Sequence, residues 1–525
     1  MVSQISKLST ETLNLSTPQG LLSTLQALRQ TVESEGKATF DNWNPHIQRT
    51  AFIDSAVNLA EYLALRRHDL RSLQAALMPW GLSSLGRIEG RVMPNLDAVI
   101  ATLEVICGSK SDRHFQRPPV EFFFEGDSRS ERLRQRLLQQ HTEELFGESS
   151  PHRRVRIMVT LDTEAATNYE LVRSFIQRGA NCMRINCAHD NPEIWQGAID
   201  NIRRAEREIG TPCKIMMDLG GPKIRTGAVF MPHHKKRVFK GDRIVLSRRE
   251  PESAADPAKS THVKQFQTSC TIPSILDLLA VDTPVYIDDG KIWTRVVDTQ
   301  YSIAHEQPGL LLEVTNTSPK GVKLKPEKGM NFPDTVLDLS PLTEKDLTDL
   351  DFVAVHADII GYSFVQQPAD IELLQQELDK RCENRLSPPA IVAKIETAIA
   401  VSNLPELIVY AAGKRSFGVM IARGDLAVQI GYQRLTEIQE EILWICEAAH
   451  IPVIWATQVL ENLVKDGIPS RGEMSDVAMS ERAECVMLNK GPFIAEAIDI
   501  LDDVLTRMEA HQLKKTPQLR ALHSW

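Results

Sequence analysis

At 525 residues the chain exceeds what one hydrophobic core organises, and it is expected to divide into about two to four units. Its formal charge of -9, with 60 basic and 69 acidic side chains well mixed, excludes a dedicated nucleic-acid or anionic-membrane surface, so a small anionic substrate would need a local positive pocket. No apolar run approaches the roughly 18 residues that span a bilayer, no basic stretch with an apolar core opens the chain, and the eight cysteines form no CxxC pair; a soluble, unexported, cytoplasmic protein with reduced thiols is expected.

Residues 1–150 carry helical periodicity and almost no strand signal. In the run from Ser55 to Val92, leucines and alanines recur at three- and four-residue spacing, while Arg66, Arg67, Asp69 and Arg71 fill the other face, read as solvated. The sequence turns polar near Gly147 to Arg154, which marks a boundary. From Arg156 eight apolar runs follow: RIMVTL, NCMRINC, CKIMMDL, DIIGYSFV, AIVAKIE, FGVMIARGD, PVIWATQ and CVMLN. Amphipathic helical stretches alternate with them, so the fold class is α/β, a parallel sheet closing into a (β/α)₈ TIM barrel. Residues 228–328, rich in β-branched residues and turn signals, read as a small β-barrel lid domain inserted after strand three. The predicted layout is an N-terminal helical domain (1–150), the barrel (151–227 and 329–508), the insert (228–328) and a basic tail (509–525).

Polar residues gather at the C-terminal ends of the predicted strands, where barrels of this type build their sites: Arg184, Asn186, Asp218, Ser363, Lys394, Glu396, Arg423, Asp425 and Thr457. In VAKIET, Lys394 and Glu396 are two residues apart and point to one side of a strand, into the barrel mouth. A buried salt bridge is the plain alternative for such a pair. Asp425 on the next strand end adds a second carboxylate, and two carboxylates with positions left to water and substrate suit Mg²⁺ or Mn²⁺. Gly424 opens the following helix, so the amides of Gly424 and Asp425 are placed to receive a substrate oxyanion.

The strings MRINCAHD, MDLGGPKIRTG, YIDDGKI, EKGMNFPD, VAKIET, MIARGDLAV, WATQVLENLV and PSRGEMSDVA, in this order, resemble the pyruvate kinase family over about two thirds of the chain. The resemblance implies phosphoryl transfer from phosphoenolpyruvate to ADP beneath a mobile lid. It gives Glu396 and Asp425 the divalent metal and Lys394 the phosphoryl group in transit and the enolate. Arg184 takes the substrate phosphate, Ser363 and Gly424 line the substrate, and Thr457 lies near the methylene that must be protonated. His189, Arg225 and Lys328 fall on the nucleotide side. Arg471, Glu473 and Asp476 match positions for which a structural ion-pair role competes with a catalytic one. A homo-oligomer is the family-level expectation.

Several positions depart from the family pattern. The usual K⁺ ligands remain at Asn186 and Asp218, but Ala188 and Leu219 replace a serine and a threonine, and Lys223 stands where K⁺-dependent members carry glutamate. Lys223 with Asn186 and Asp218 is therefore expected to replace the monovalent cation, making the enzyme K⁺-independent. LNKGPF replaces the family's strand-eight loop, with Lys490 a possible substitute for its lysine, and Asp162 and Thr163 stand where Gly-Pro is usual. No counterpart of the family's C-terminal effector domain follows Asp503, so regulation through that site is expected to be absent. These changes keep two other readings open: a catalytically weak phosphoenolpyruvate or nucleotide sensor, and a metal-dependent enolpyruvate lyase.

Overall fold

The computed structural model describes residues 15–82, 84–108, 129–232, 235–250, 265–301, 309–335, 337, 339–383, 385 and 387–518, with the backbone alone at 84 and 129–136. The last seven residues of the predicted tail lie outside this range. No helix of the described residues is long and apolar enough to cross a membrane, and no cysteine is in a disulfide.

Eight parallel strands close a barrel: β1 (Arg156–Thr160), β2 (Cys182–Asn186), β3 (Lys214–Asp218), β11 (Ile359–Tyr362), β12 (Ala390–Ile395), β13 (Phe417–Ala422), β14 (Val453–Ala456) and β15 (Cys485–Leu488), with β15 pairing back to β1. All eight predicted runs supply one strand each. Strand periodicity sorts their side chains. Met158, Cys182, Met216, Ile359, Val392, Met420, Ile454 and Met487 pack inside, and the residues of the same parity further along, Thr160, Arg184, Asp218, Lys394 and Glu396, climb towards the C-terminal rim. The base is closed by the end of α5 (Arg129–Phe146), whose Leu145 and Phe146 join this interior cluster. Gly418 makes room for that plug, since a Cβ there would lie 2.5 Å from Leu145 Cδ2.

The insert is a seven-stranded ladder running from Thr226 to Asn331, slightly wider than the sequence predicts, in the order β10 (Met330–Asn331), β7 (Pro284–Ile287), β8 (Ile292–Tyr301), β9 (Gly309–Thr317), β5 (Arg243–Ser247), β6 (Phe266–Cys270), β4 (Thr226–Phe230). All its pairings are antiparallel except β5 (Arg243–Ser247) with β6 (Phe266–Cys270). Its outer strands β4 (Thr226–Phe230) and β10 (Met330–Asn331) meet at their bases through one bridge, Arg225 to Gly329. The insert has its own core around Ile244, Phe266, Ile287 and Leu312.

The N-terminal helices α1 (Pro18–Trp43), α2 (Ile53–Arg66) and α4 (Val92–Ile106) share one continuous apolar core with the barrel's outer layer. Buried polar contacts fix the junction: Asn58 donates to the carbonyls of Glu89 (2.7 Å) and Ala448 (2.8 Å), and His141 Nδ1 lies 2.7 Å from the His450 carbonyl oxygen. Arg66, Arg67, Asp69 and Arg71 lie on an exposed face as the sequence predicts, and Arg66 also reaches over Trp444 of α13 (Tyr432–Ala448), 4.9 Å from the ring centroid. The segment after Asp503 continues α16 (Ile494–Glu509) and then forms a short hairpin, Gln512–Leu513 with Thr516–Pro517.

Candidate functional site at the barrel rim

Strand β12 delivers Lys394 and Glu396 to the mouth, and α12 (Arg423–Ile430), which follows β13 directly, delivers Asp425. The Lys394 ammonium lies 2.7 Å from Ser363 Oγ, 3.1 Å from Glu396 and 3.4 Å from Asp218. Asp218 in turn accepts from Arg184 Nε at 2.9 Å and from a second guanidinium nitrogen, and Arg184 Nη1 donates to Thr160 Oγ1 at 3.2 Å. These groups are almost fully buried, so each charge depends on its neighbours. Burial alone would discharge Lys394, but Asp218 and Glu396 outweigh it and raise the lysine pKa. Burial likewise opposes the Asp218 carboxylate, and Lys394 and Arg184 overcome it and hold its pKa low. Glu396 moves the other way: burial first, then the Asp425 carboxylate, raise its pKa against the pull of Lys394. Two carboxylates that repel each other across a rim are a donor set suited to a divalent cation with open positions. Among the described residues no third carboxylate, histidine or cysteine joins them.

Thr457 has a left-handed backbone (φ 65°), as do Gln458 and Leu460, a costly arrangement for a β-branched residue. Arg423 secures it. The guanidinium lies over Trp455, donates to the carbonyls of Ala456 (3.0 Å) and Thr457 (2.6 Å), and is clamped by both Asp476 oxygens. The resulting turn aims Thr457 Oγ1 at the start of α12, where it accepts from the Gly424 amide at 2.7 Å. The Gly424 amide, expected to receive a substrate oxyanion, is engaged by this hydroxyl. Asp476 and Glu473 have structural partners, Arg423 for the first and the amides of Ser470 and Asn462 for the second.

Lys223 is placed differently from expectation. Its ammonium contacts both Asp425 oxygens, at 2.9 and 3.1 Å, and approaches Asp289 at 4.0 Å. It is not joined to Asn186, whose side-chain oxygen accepts from the Ala188 amide, or to Asp218, one of whose oxygens is buried without a hydrogen-bond partner. Gly220 and Gly221, held by Asp346, turn the chain after β3 (φ +66° at Gly221), and Lys223 emerges towards α12 instead of back into the barrel.

On the opposite side of the mouth, His189 and Lys490 line a small cleft with Asp162 and Asp190. Burial, with the nearby charges of Lys490 and Arg225, lowers the His189 pKa and favours its neutral form. Arg225 donates to the Glu327 carbonyl (3.0 Å) at the base of the insert, and Lys328 pairs with Asp288 at 3.4 Å. The altered strand-eight loop folds down onto α14 (Glu461–Asp466): a Cβ at Gly491 would lie 2.5 Å from Val464, and Phe493 donates its amide to the Val464 carbonyl. Thr160 went unnoticed in the sequence; its position as the last residue of a strand of the right parity is the signal that finds it.

The sequence matches the family model described as the barrel domain of pyruvate kinase over residues 152–497. It is 33% identical over 369 residues to a pyruvate kinase of Methylorubrum extorquens, covering 69% of this chain and 70% of that protein. A pyruvate kinase of Agrobacterium vitis is 32% identical over 374 residues, covering 69% of each, and one of Dictyostelium discoideum is 29% identical over 363 residues, covering 68% of this chain and 66% of that one. The closed barrel, the rim of paired charges and these matches together place the chain in the pyruvate kinase family of enzymes.

Proposed function

We propose that the protein transfers the phosphoryl group of phosphoenolpyruvate to ADP with a divalent ion, Mg²⁺ or Mn²⁺, and without a requirement for K⁺. The observation that carries this reading is the Lys394 ammonium, kept charged by Asp218 and Glu396 at a rim that also presents Asp425. Glu396 and Asp425 would hold the metal, which when bound supplies positive charge to the phosphoryl and enolate oxygens. Lys394 faces the same oxygens and offsets charge on the phosphoryl group in flight and on the enolate left behind. Arg184, oriented by Asp218 and Thr160, grips the substrate phosphate, and Ser363 orients Lys394. Thr457 sits where a proton reaches the methylene carbon through its hydroxyl or a water. His189, Arg225 and Lys328 serve the nucleotide phosphates, with Lys490 beside them. Lys223 supplies its monovalent charge through Asp425, on the metal side, and not through Asn186 and Asp218.

A coupled assay of pyruvate formation with a panel of nucleoside diphosphates, with Mg²⁺ or Mn²⁺, tests this reading. Turnover with ADP, unchanged when K⁺ is exchanged for tetramethylammonium, is the expected result. Binding of phosphoenolpyruvate without turnover on any diphosphate defeats the kinase reading, and a large gain in rate with K⁺ defeats the role given to Lys223.

A further inference from the structure

A second cavity, of about 740 Å³, lies at the other end of the barrel. It opens among the starts of β1, β14 and β15, the N-terminal extension and the C-terminal hairpin, and is unrelated to the rim. Its wall is built from buried charged side chains, among them Arg153, Arg156, Glu484 and Lys514. Most are neutralised within the protein: Arg153 by Asp502, Arg154 by Glu481 and Lys514 by Glu484.

Arg156 is the exception. It is 3% exposed, and among the described residues its three nitrogens donate only to main-chain oxygens, Gly147 (3.2 and 2.6 Å) and Arg154 (2.9 Å). Among the described residues no carboxylate reaches hydrogen-bonding distance of it, although Glu143 and Glu484 lie within electrostatic range. The Arg87 side chain, at the exposed mouth, forms no ion pair with the described residues. Of the acids on the wall, Glu484 is paired with Lys514. Glu509 accepts a hydrogen bond from the Arg154 main-chain amide and Glu143 one from the Gln139 side chain, while burial raises the Glu447 pKa to about 7 and so reduces its negative charge at neutral pH. A guanidinium on the wall of a ligand-sized cavity, with spare N–H groups and no hydrogen-bonded carboxylate among the described residues, suits a bidentate oxyanion.

We propose that this cavity binds a small metabolite through a phosphate or carboxylate group seated on Arg156, with Arg87 closing over its outer end. The site belongs to this chain's N-terminal extension and hairpin as much as to the barrel. It requires nothing of the rim chemistry.

Calorimetric titration of the full chain with inorganic phosphate, glucose 6-phosphate and citrate, each in the presence and absence of saturating phosphoenolpyruvate, tests it. At least one probe is expected to bind in both conditions. Arg156→Gln and Ser149→Trp, the latter filling the exposed mouth, should each weaken that binding by roughly tenfold or more. Binding of the phosphates alone assigns a phosphate ligand and binding of citrate alone a carboxylate. Should Arg156→Gln fail to fold, Arg87→Ala joins Ser149→Trp in its place. Absence of binding by every probe, binding that phosphoenolpyruvate displaces, or binding indifferent to Ser149→Trp overturns the proposal. The readout is heat of binding, so it stands apart from any failure of turnover.

Discussion

Asp218 shows how much one buried carboxylate holds together. It is 1% exposed, compensates both Arg184 and Lys394, and has a pKa held below the ordinary carboxylate value by them. A depressed native pKa contributes stability that is present above the unfolded-state value near 4 and is lost as pH falls through the native value. Asp218→Asn leaves the buried Arg184 without a carboxylate partner and Lys394 with Glu396 alone, so it should destabilise the protein by about 3–5 kcal/mol at neutral pH. The same change should flatten the acid limb of the stability profile, which denaturant unfolding at neutral and acid pH measures directly. Equal stability of variant and wild type at neutral pH would remove Asp218 from this role. The Lys394 and Glu396 pairing was legible in the sequence because strand parity alone sends both side chains inward. The Lys223 contact with Asp425 was not, since it depends on how a glycine turn after β3 meets the start of a helix 200 residues later.

At the level of elements, the eight strands were readable because each is a short apolar run bounded by polar residues, and their closure follows from the alternation with helices. What periodicity could not assign was the partner of each helix face. The end of α5 carries Leu145 and Phe146 into the barrel's base, a contact with no local signature. Leu145→Ala is expected to cost about 2–5 kcal/mol of stability by opening a cavity there. Because the plug and the rim lie at opposite ends of the barrel, the Michaelis constant for phosphoenolpyruvate should not move. A loss of substrate affinity with unchanged stability would show that the plug acts on the rim and not on packing. The turn at Thr457 was equally hidden: WATQV reads as an ordinary strand end, and only its contacts with Arg423 and Gly424 reveal the left-handed backbone.

Across the whole molecule, composition shifts suggested a helical domain apart from a barrel, yet the two share one core. Arg66 on Trp444, Asn58 on Ala448 and Lys515 on Glu89 tie the extension, the barrel helices and the C-terminal hairpin into one body. A chain beginning at residue 151 should therefore be insoluble or lack a cooperative thermal transition. A soluble fragment with native near-ultraviolet circular dichroism would contradict the shared core. The chemistry proposed for the barrel rim has Lys394 act separately from the metal carboxylates. The most direct test is Lys394→Met, with phosphoryl transfer and Mn²⁺ binding measured on the same preparation. Transfer should fall by about 10²–10³-fold or more, with Mn²⁺ affinity within about tenfold of the wild type. Loss of Mn²⁺ binding, or transfer that survives the substitution, would contradict the account.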